Sequence, residues 1–188
     1  MDFTIHDYVA EHHKVFANLN YAEINNAISI LRSAIISNKR VCVCGNGGSA
    51  ATASHLITDL NKMIFHHTGK QFNGICLSDN NGLITAYAND YSYDDIFSEQ
   101  VKNLMNRGDL LIVISGSGNS KNVVKAISVA HELGVETLGI IGFDGGQVKK
   151  HANHRIWIDC NDMQLCEDIQ LSIVHMFMKS LCKQAIDV

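Results

Sequence analysis

Apolar residues recur at helical spacing twice before any strand-like run appears. Ile5, Tyr8, Val9, His12 and the Val15-Phe16 pair predict one helix, and Leu19-Asn20 interrupts it. Ile24, Ala27, Ile28, Leu31, Ala34 and Ile35 then predict a second. Both stripes are broad, so each helix carries apolar surface that its own sheet or another subunit would cover. The period changes at Val41-Cys42-Val43-Cys44, a short apolar run ending in glycines, as a buried parallel strand does. Helical and extended segments alternate from there. The pattern predicts helices over 49–62, 82–88, 96–105, 120–133 and 163–185, with strands over 74–77, 110–114, 137–141 and 155–158. This rhythm predicts an α/β three-layer sandwich around a five-stranded parallel sheet, with two N-terminal helices and a long C-terminal helix added. We read one domain over 1–188: a helical hairpin at 1–38, an α/β core at 39–160 and the final helix at 163–185.

Composition narrows the functional classes. The 188 residues are 46% hydrophobic and 18% charged, which is globular and not disordered. A formal charge of −4 gives no basic field for nucleic acid or an anionic membrane, so a bound phosphate must be gripped locally. No apolar run approaches the roughly 20 residues of a membrane span. Met1 to Thr4 has neither the basic segment nor the apolar core of a signal peptide. The six cysteines show no zinc-ribbon spacing, and two alternate within the first strand. Buried, reduced thiols in a cytoplasmic protein are the expectation. The absence of proline removes one marker of helix ends.

Two loops carry the candidate chemistry. Gly45-Asn46-Gly47-Gly48-Ser49-Ala50 joins the first strand to a helix, where free amides favour an anion. Gly45-x-Gly47-x-x-Ala50 also fits a loose dinucleotide fingerprint. The acidic residue that fingerprint expects about 20 positions on has only Asp79 as a candidate, and it arrives late. Ser115-Gly116-Ser117-Gly118-Asn119-Ser120 follows the 110–114 strand and opens the next helix. Three hydroxyls beside free amides make a cradle for a phosphate monoester; the plainer alternative is a turn with Ser120 as an N-cap. Two such loops on neighbouring strand ends point into one crevice, which favours phosphate.

His55 and Asp59 lie four apart on the helix that opens at the first loop, so they share a face. Glu167 and His175 lie eight apart on the last helix, offset by about 80°. Two imidazoles and two carboxylates on such faces suit zinc, although a lone helical histidine is more often structural. His12-His13 and His66-His67 are sequence neighbours that do not share a face. His151 and His154, near Lys149-Lys150, read as a solvated patch, and Trp157 as core or subunit contact.

Cys44-Gly45-Asn46-Gly47-Gly48-Ser49-Ala50 with His55, then Ala88-Asn89-Asp90-Tyr91, then Ser115-x-Ser117-Gly118-Asn119-Ser120, resembles the SIS-domain phosphoheptose isomerases. The likeness runs in order over essentially the whole chain. It implies the SIS fold, which is flavodoxin-like or Rossmann-like. It implies conversion of sedoheptulose 7-phosphate to a heptose 7-phosphate aldose for lipopolysaccharide, capsule or S-layer heptose. It also implies a homotetramer with sites between subunits, often holding one zinc each.

Carried over by resemblance, Ser115, Ser117 and Ser120 hold the phosphate, with Gly116 where a threonine is usual. Asn46, Gly47, Gly48, Ser49, Asn89, Asp90 and Glu167 line the sugar. His55, Asp59, Glu167 and His175 bind metal, and Asp59, Glu167 and His175 are catalytic. Asp59 stands where the family usually has glutamate, and Glu167 where it has glutamine. Glu167 is thus expected to take over part of the base or ligand role that the shorter Asp59 cannot fill. Two other readings remain at this stage: a silent SIS module binding a sugar phosphate or protein partner, and an isomerase of another phosphosugar.

Overall fold

The computed structural model describes residues 4–183. Thr4 caps α1 (Ile5–Ala17) through a reciprocal box with Asp7, and Asn20 caps α2 (Tyr21–Ile36) by accepting the amides of Ala22 and Glu23. Then follow β1 (Arg40–Gly45), α3 (Gly47–Thr68), β2 (Asn73–Cys76), α4 (Asn81–Asp90), a 3-10 turn (Tyr93–Asp95) and α5 (Ser98–Leu104). β3 (Leu110–Ser115), α6 (Lys121–Glu132), β4 (Glu136–Ile141), α7 (Gly146–His151), β5 (His154–Trp157) and α8 (Met163–Lys183) complete the described chain.

All five strands are parallel, in the order β2-β1-β3-β4-β5. Alternation along each strand splits the core in two. Val41, Val43, Ile112 and Ile114 face α2, α3 and α8, whereas Cys42, Cys44, Leu111 and Val113 face the layer containing α5 and α6. The chain reverses direction across the sheet between β1 and β3, and Gly45 registers with Ile114 there. The loops leaving these two strands therefore start level and diverge, the geometry that opens a crevice.

Both sheet edges are occupied by side chains. Asn61 takes both backbone groups of Gly74 on β2, donating to its carbonyl at 3.1 Å and accepting from its amide at 3.3 Å. Glu23 of α2 accepts the Trp157 amide of β5 at 2.9 Å.

Several boundaries depart from expectation. α3 runs to Thr68 because Ile64 extends its buried stripe, and left-handed Gly69 ends it. The helix expected over 96–105 is shorter, Ser98–Leu104, because Ile96 and Phe97 are buried in the link from the 3-10 turn to α5. α7 is unforeseen: six residues anchored on Val148 are too short for a periodic signal. The final two positions expected in the last helix lie outside the described residues.

The six thiols are unpaired; Cys42, Cys44, Cys76 and Cys166 are buried, and Cys160 and Cys182 half-buried. Burial pushes Cys42 and Cys76 up to about 12, which keeps them protonated and unreactive at neutral pH. Phe177 on α8 is fully buried in the core beneath α3. Phe177→Ala is expected to cost about 3–5 kcal/mol, read as a fall in urea midpoint with unchanged slope.

Candidate active site

β1 and β3 deliver their loops to one hollow of about 270 Å³, lined by Asn46, Gly47, Gly48, Ser49, Ser115, Gly116, Ser117, Ser120 and Glu167. Ile114 and Met163 complete the lining. Nine of the sequence-derived site residues thus converge there. Neither α3 nor α6 has a side-chain cap, although Asn46 and Ser120 occupy the capping positions. The leading amides of α3, and those of Lys121 and Asn122 on α6, stay available to an anion, while the Val123 amide is taken by Asn122 Oδ1; the helix dipoles add positive potential. Ser120 as a plain N-cap is therefore set aside.

The loop hydroxyls are oriented by the loop itself. Ser115 Oγ accepts the Gly118 amide at 3.0 Å, and Ser117 Oγ accepts the Asn119 amide at 3.2 Å. Among the described residues neither hydroxyl donates, so each O–H remains for a ligand oxygen. Gly118 allows this tight turn: its φ is +64°, and a Cβ would run into the Gly145 carbonyl. Ser78 fixes the other loop by donating to the Gly45 carbonyl at 2.9 Å and accepting its amide at 3.3 Å.

Glu167 reaches the hollow from α8. A Cβ on Gly48 would collide with its carboxylate, so that carboxylate rests directly on the first turn of α3. Gly48→Ala tests this packing. Helix propensity favours alanine, so melting temperature should hold or rise. Displacing the carboxylate should nevertheless lower turnover by on the order of tenfold to a hundredfold.

α3 and α8 run alongside each other in the same direction, Gly48 beside Glu167 and His55 beside His175. The His55 and His175 Nε2 atoms are 3.0 Å apart, and Asp59 Oδ2 is 3.5 Å from His55 Nε2. These three residues form a group whose ligand atoms lie within 4.8 Å of one another. Zinc bonds of about 2.0–2.1 Å imply tetrahedral edges of roughly 3.3 Å, so the donor set fits a metal. His55 is 44% exposed and Asp59 22%, leaving the group open to further ligands.

Glu167 does not join this group, contrary to the expectation of four metal ligands. The helical offset puts it on a similar face, but eight residues at 1.5 Å each separate it from His175 by about 12 Å along α8. Asn89 and Asp90 also stand apart. They are exposed at the end of α4, hydrogen-bonded to each other at 2.9 Å, and outside the hollow's lining. The paired histidines at 12–13 and 66–67 join no metal-binding group among the described residues. His151 is exposed, whereas His154 is half-buried and contacts Glu136 at 3.0 Å and Asn26 at 3.4 Å. Trp157 is half-buried, with its indole N–H donating to the Phe143 carbonyl at 2.9 Å.

Sequence reasoning missed the residues that act through others. Ser49 Oγ donates at 3.1 Å to Gln170, a fully buried residue whose Nε2 has no partner among the described residues. Asn122 and Tyr93 both hold Asn46.

Comparison with known proteins places this geometry among relatives. Residues 6–142 match the SIS domain family. A phosphoheptose isomerase of Geotalea daltonii is 35% identical over 179 residues, covering 94% of this chain and 93% of that protein. The phosphoheptose isomerase structure from Francisella tularensis superposes with a TM-score of 0.88 at 26% identity, covering 96% and 97% of the two chains. That from Neisseria gonorrhoeae gives 0.87 at 25% identity, covering 94% and 96%.

Proposed function

This chain belongs to the SIS-domain family, in its phosphoheptose isomerase branch, and from that premise we propose that it interconverts sedoheptulose 7-phosphate and D-glycero-D-manno-heptose 7-phosphate through an enediol, for heptose synthesis. The observation that carries the reading is the convergence of two uncapped helix starts, oriented serine hydroxyls and one carboxylate on a single hollow.

The phosphate belongs in the loop of Ser115, Ser117 and Ser120, where hydroxyl and amide donors meet its oxygens. Anchoring that non-reacting end fixes the reacting carbons and lowers the entropic cost of the step. Asn46 and the amides of Gly47 and Gly48 face the sugar. Glu167, the carboxylate lining the hollow, is assigned to take the proton from C1 of the ketose and return it to C2, leaving the aldose. Asp59 belongs with the imidazoles. His175, steadied by His55, is assigned to hydroxyl proton transfer. Asn89 and Asp90 meet the substrate only if another copy of the chain brings them to the hollow.

His55, Asp59 and His175 would hold a zinc ion, one per subunit, which when bound supplies Lewis-acid polarisation of the sugar's oxygens. We further propose a single domain, a homotetramer and a cytoplasmic setting. α1 has no buried residue, and Ile5 and Val9 on it are 82% and 45% exposed, which supports cover by another copy. Reduced, buried thiols support the compartment. Incubation with sedoheptulose 7-phosphate in D2O, followed by proton NMR, tests the activity. Aldose resonances with deuterium at C2 are expected; an unchanged ketose ends the proposal.

A further inference from the structure

Asn46 occupies the capping position of α3, yet its side chain caps nothing. Its amide is committed elsewhere. Nδ2 donates to Asn122 Oδ1 at 2.9 Å, and Asn122 Nδ2 donates back to Asn46 Oδ1 at 2.9 Å. A reciprocal amide pair of this kind is degenerate, since exchanging nitrogen and oxygen on both partners preserves it. One bond removes the degeneracy. The Val123 backbone amide donates to Asn122 Oδ1 at 2.9 Å, and a backbone N–H can meet only an acceptor. Asn122 must therefore present oxygen there, and its own NH2 must face Asn46.

Tyr93 then adds a second donor, its hydroxyl reaching Asn46 Oδ1 at 3.0 Å. Two donors fill the two lone pairs of that oxygen. One Nδ2–H of Asn46 is spent on Asn122. The other has no partner among the described residues, and Asn46 lines the hollow. Asn122 is only 2% exposed, so the anchor of this chain of bonds sits where water does not compete.

We infer that Asn122 and Tyr93 are positioning residues that lock Asn46 as a hydrogen-bond donor toward an oxygen of the bound sugar phosphate. Turning the Asn46 amide over would set oxygen against oxygen at Asn122 and leave a buried donor unpaired. The site therefore selects an acceptor at this place and rejects a ligand offering an N–H donor. The inference rests on the isomerase reading for the identity of the ligand, and on hydrogen-bond accounting for the rest.

A double-mutant cycle tests it, read on the calorimetric Kd for sedoheptulose 7-phosphate and on kcat and KM. Tyr93→Phe removes one donor and adds nothing, on a side chain that is 57% exposed. It should weaken Kd about threefold to tenfold, the effect of one hydrogen bond. kcat should stay within about twofold, because the contact is made equally in ground and transition states. Asn122→Ala should weaken Kd further, on the order of tenfold or more. In an Asn46→Ala background both penalties should vanish, which a purely structural role would not produce. Unchanged Kd in both single variants, or penalties undiminished without Asn46, overturns the inference. If Asn122→Ala fails to fold, Tyr93→Phe with its Asn46→Ala partner decides. A wild type that binds the sugar phosphate without turning it over sinks the isomerase reading alone, and the Kd cycle still decides this one. A wild type that binds none of it sinks both.

Discussion

Glu167→Gln is expected to lower kcat for sedoheptulose 7-phosphate by about 10²–10⁴-fold, the usual contribution of a positioned general base. The variant is nearly isosteric, so packing against Gly48 survives and only the proton-accepting capacity is lost. Metal content should not change, because Glu167 is outside the group formed by His55, Asp59 and His175. Affinity for the substrate should hold or improve, since a negative charge leaves the hollow proposed to take the sugar phosphate. Pre-steady-state kinetics and metal analysis on the same sample check all three outcomes. Near-wild-type turnover would remove Glu167 from the base role and return it to Asp59.

His175→Ala should behave in the opposite way. It removes one of two imidazole nitrogens 3.0 Å apart, leaving His55 and Asp59, an i,i+4 pair with one carboxylate. A two-donor remnant does not retain zinc through gel filtration, so bound metal should fall from about one per chain to near zero. Turnover should drop by at least about a hundredfold, and added zinc should restore only a small part. Elemental analysis gives a readout independent of activity. The phosphate end of the site should be spared, so Kd for inorganic phosphate should match wild type. Full metal retention in the variant would show that the imidazole pair does not hold the ion.

The two variants divide the site as the molecule does, and that division was only half legible in the sequence. The two loops were readable because glycine and serine at the end of an apolar strand have few other uses. The pairing of His55 with Asp59 followed from helical spacing alone. The angular offset that put Glu167 and His175 on one face carried no information about rise, and rise is what parts them. Asn46 and Asn122 are 76 positions apart, and Tyr93 lies 47 from Asn46. No local pattern announces such partners, because they meet only once β1 and β3 are neighbours. Gln170 was invisible for a related reason: a polar residue on a helix reads as surface until Ser49 is seen to require it.

The side chains that occupy the borders of the sheet decide how copies of this molecule can meet. With Asn61 satisfying Gly74 on one flank and Glu23 satisfying Trp157 on the other, an incoming strand finds no vacant backbone partners at those points. Growth by strand addition, the route to fibres and swapped ribbons, is disfavoured at those two positions.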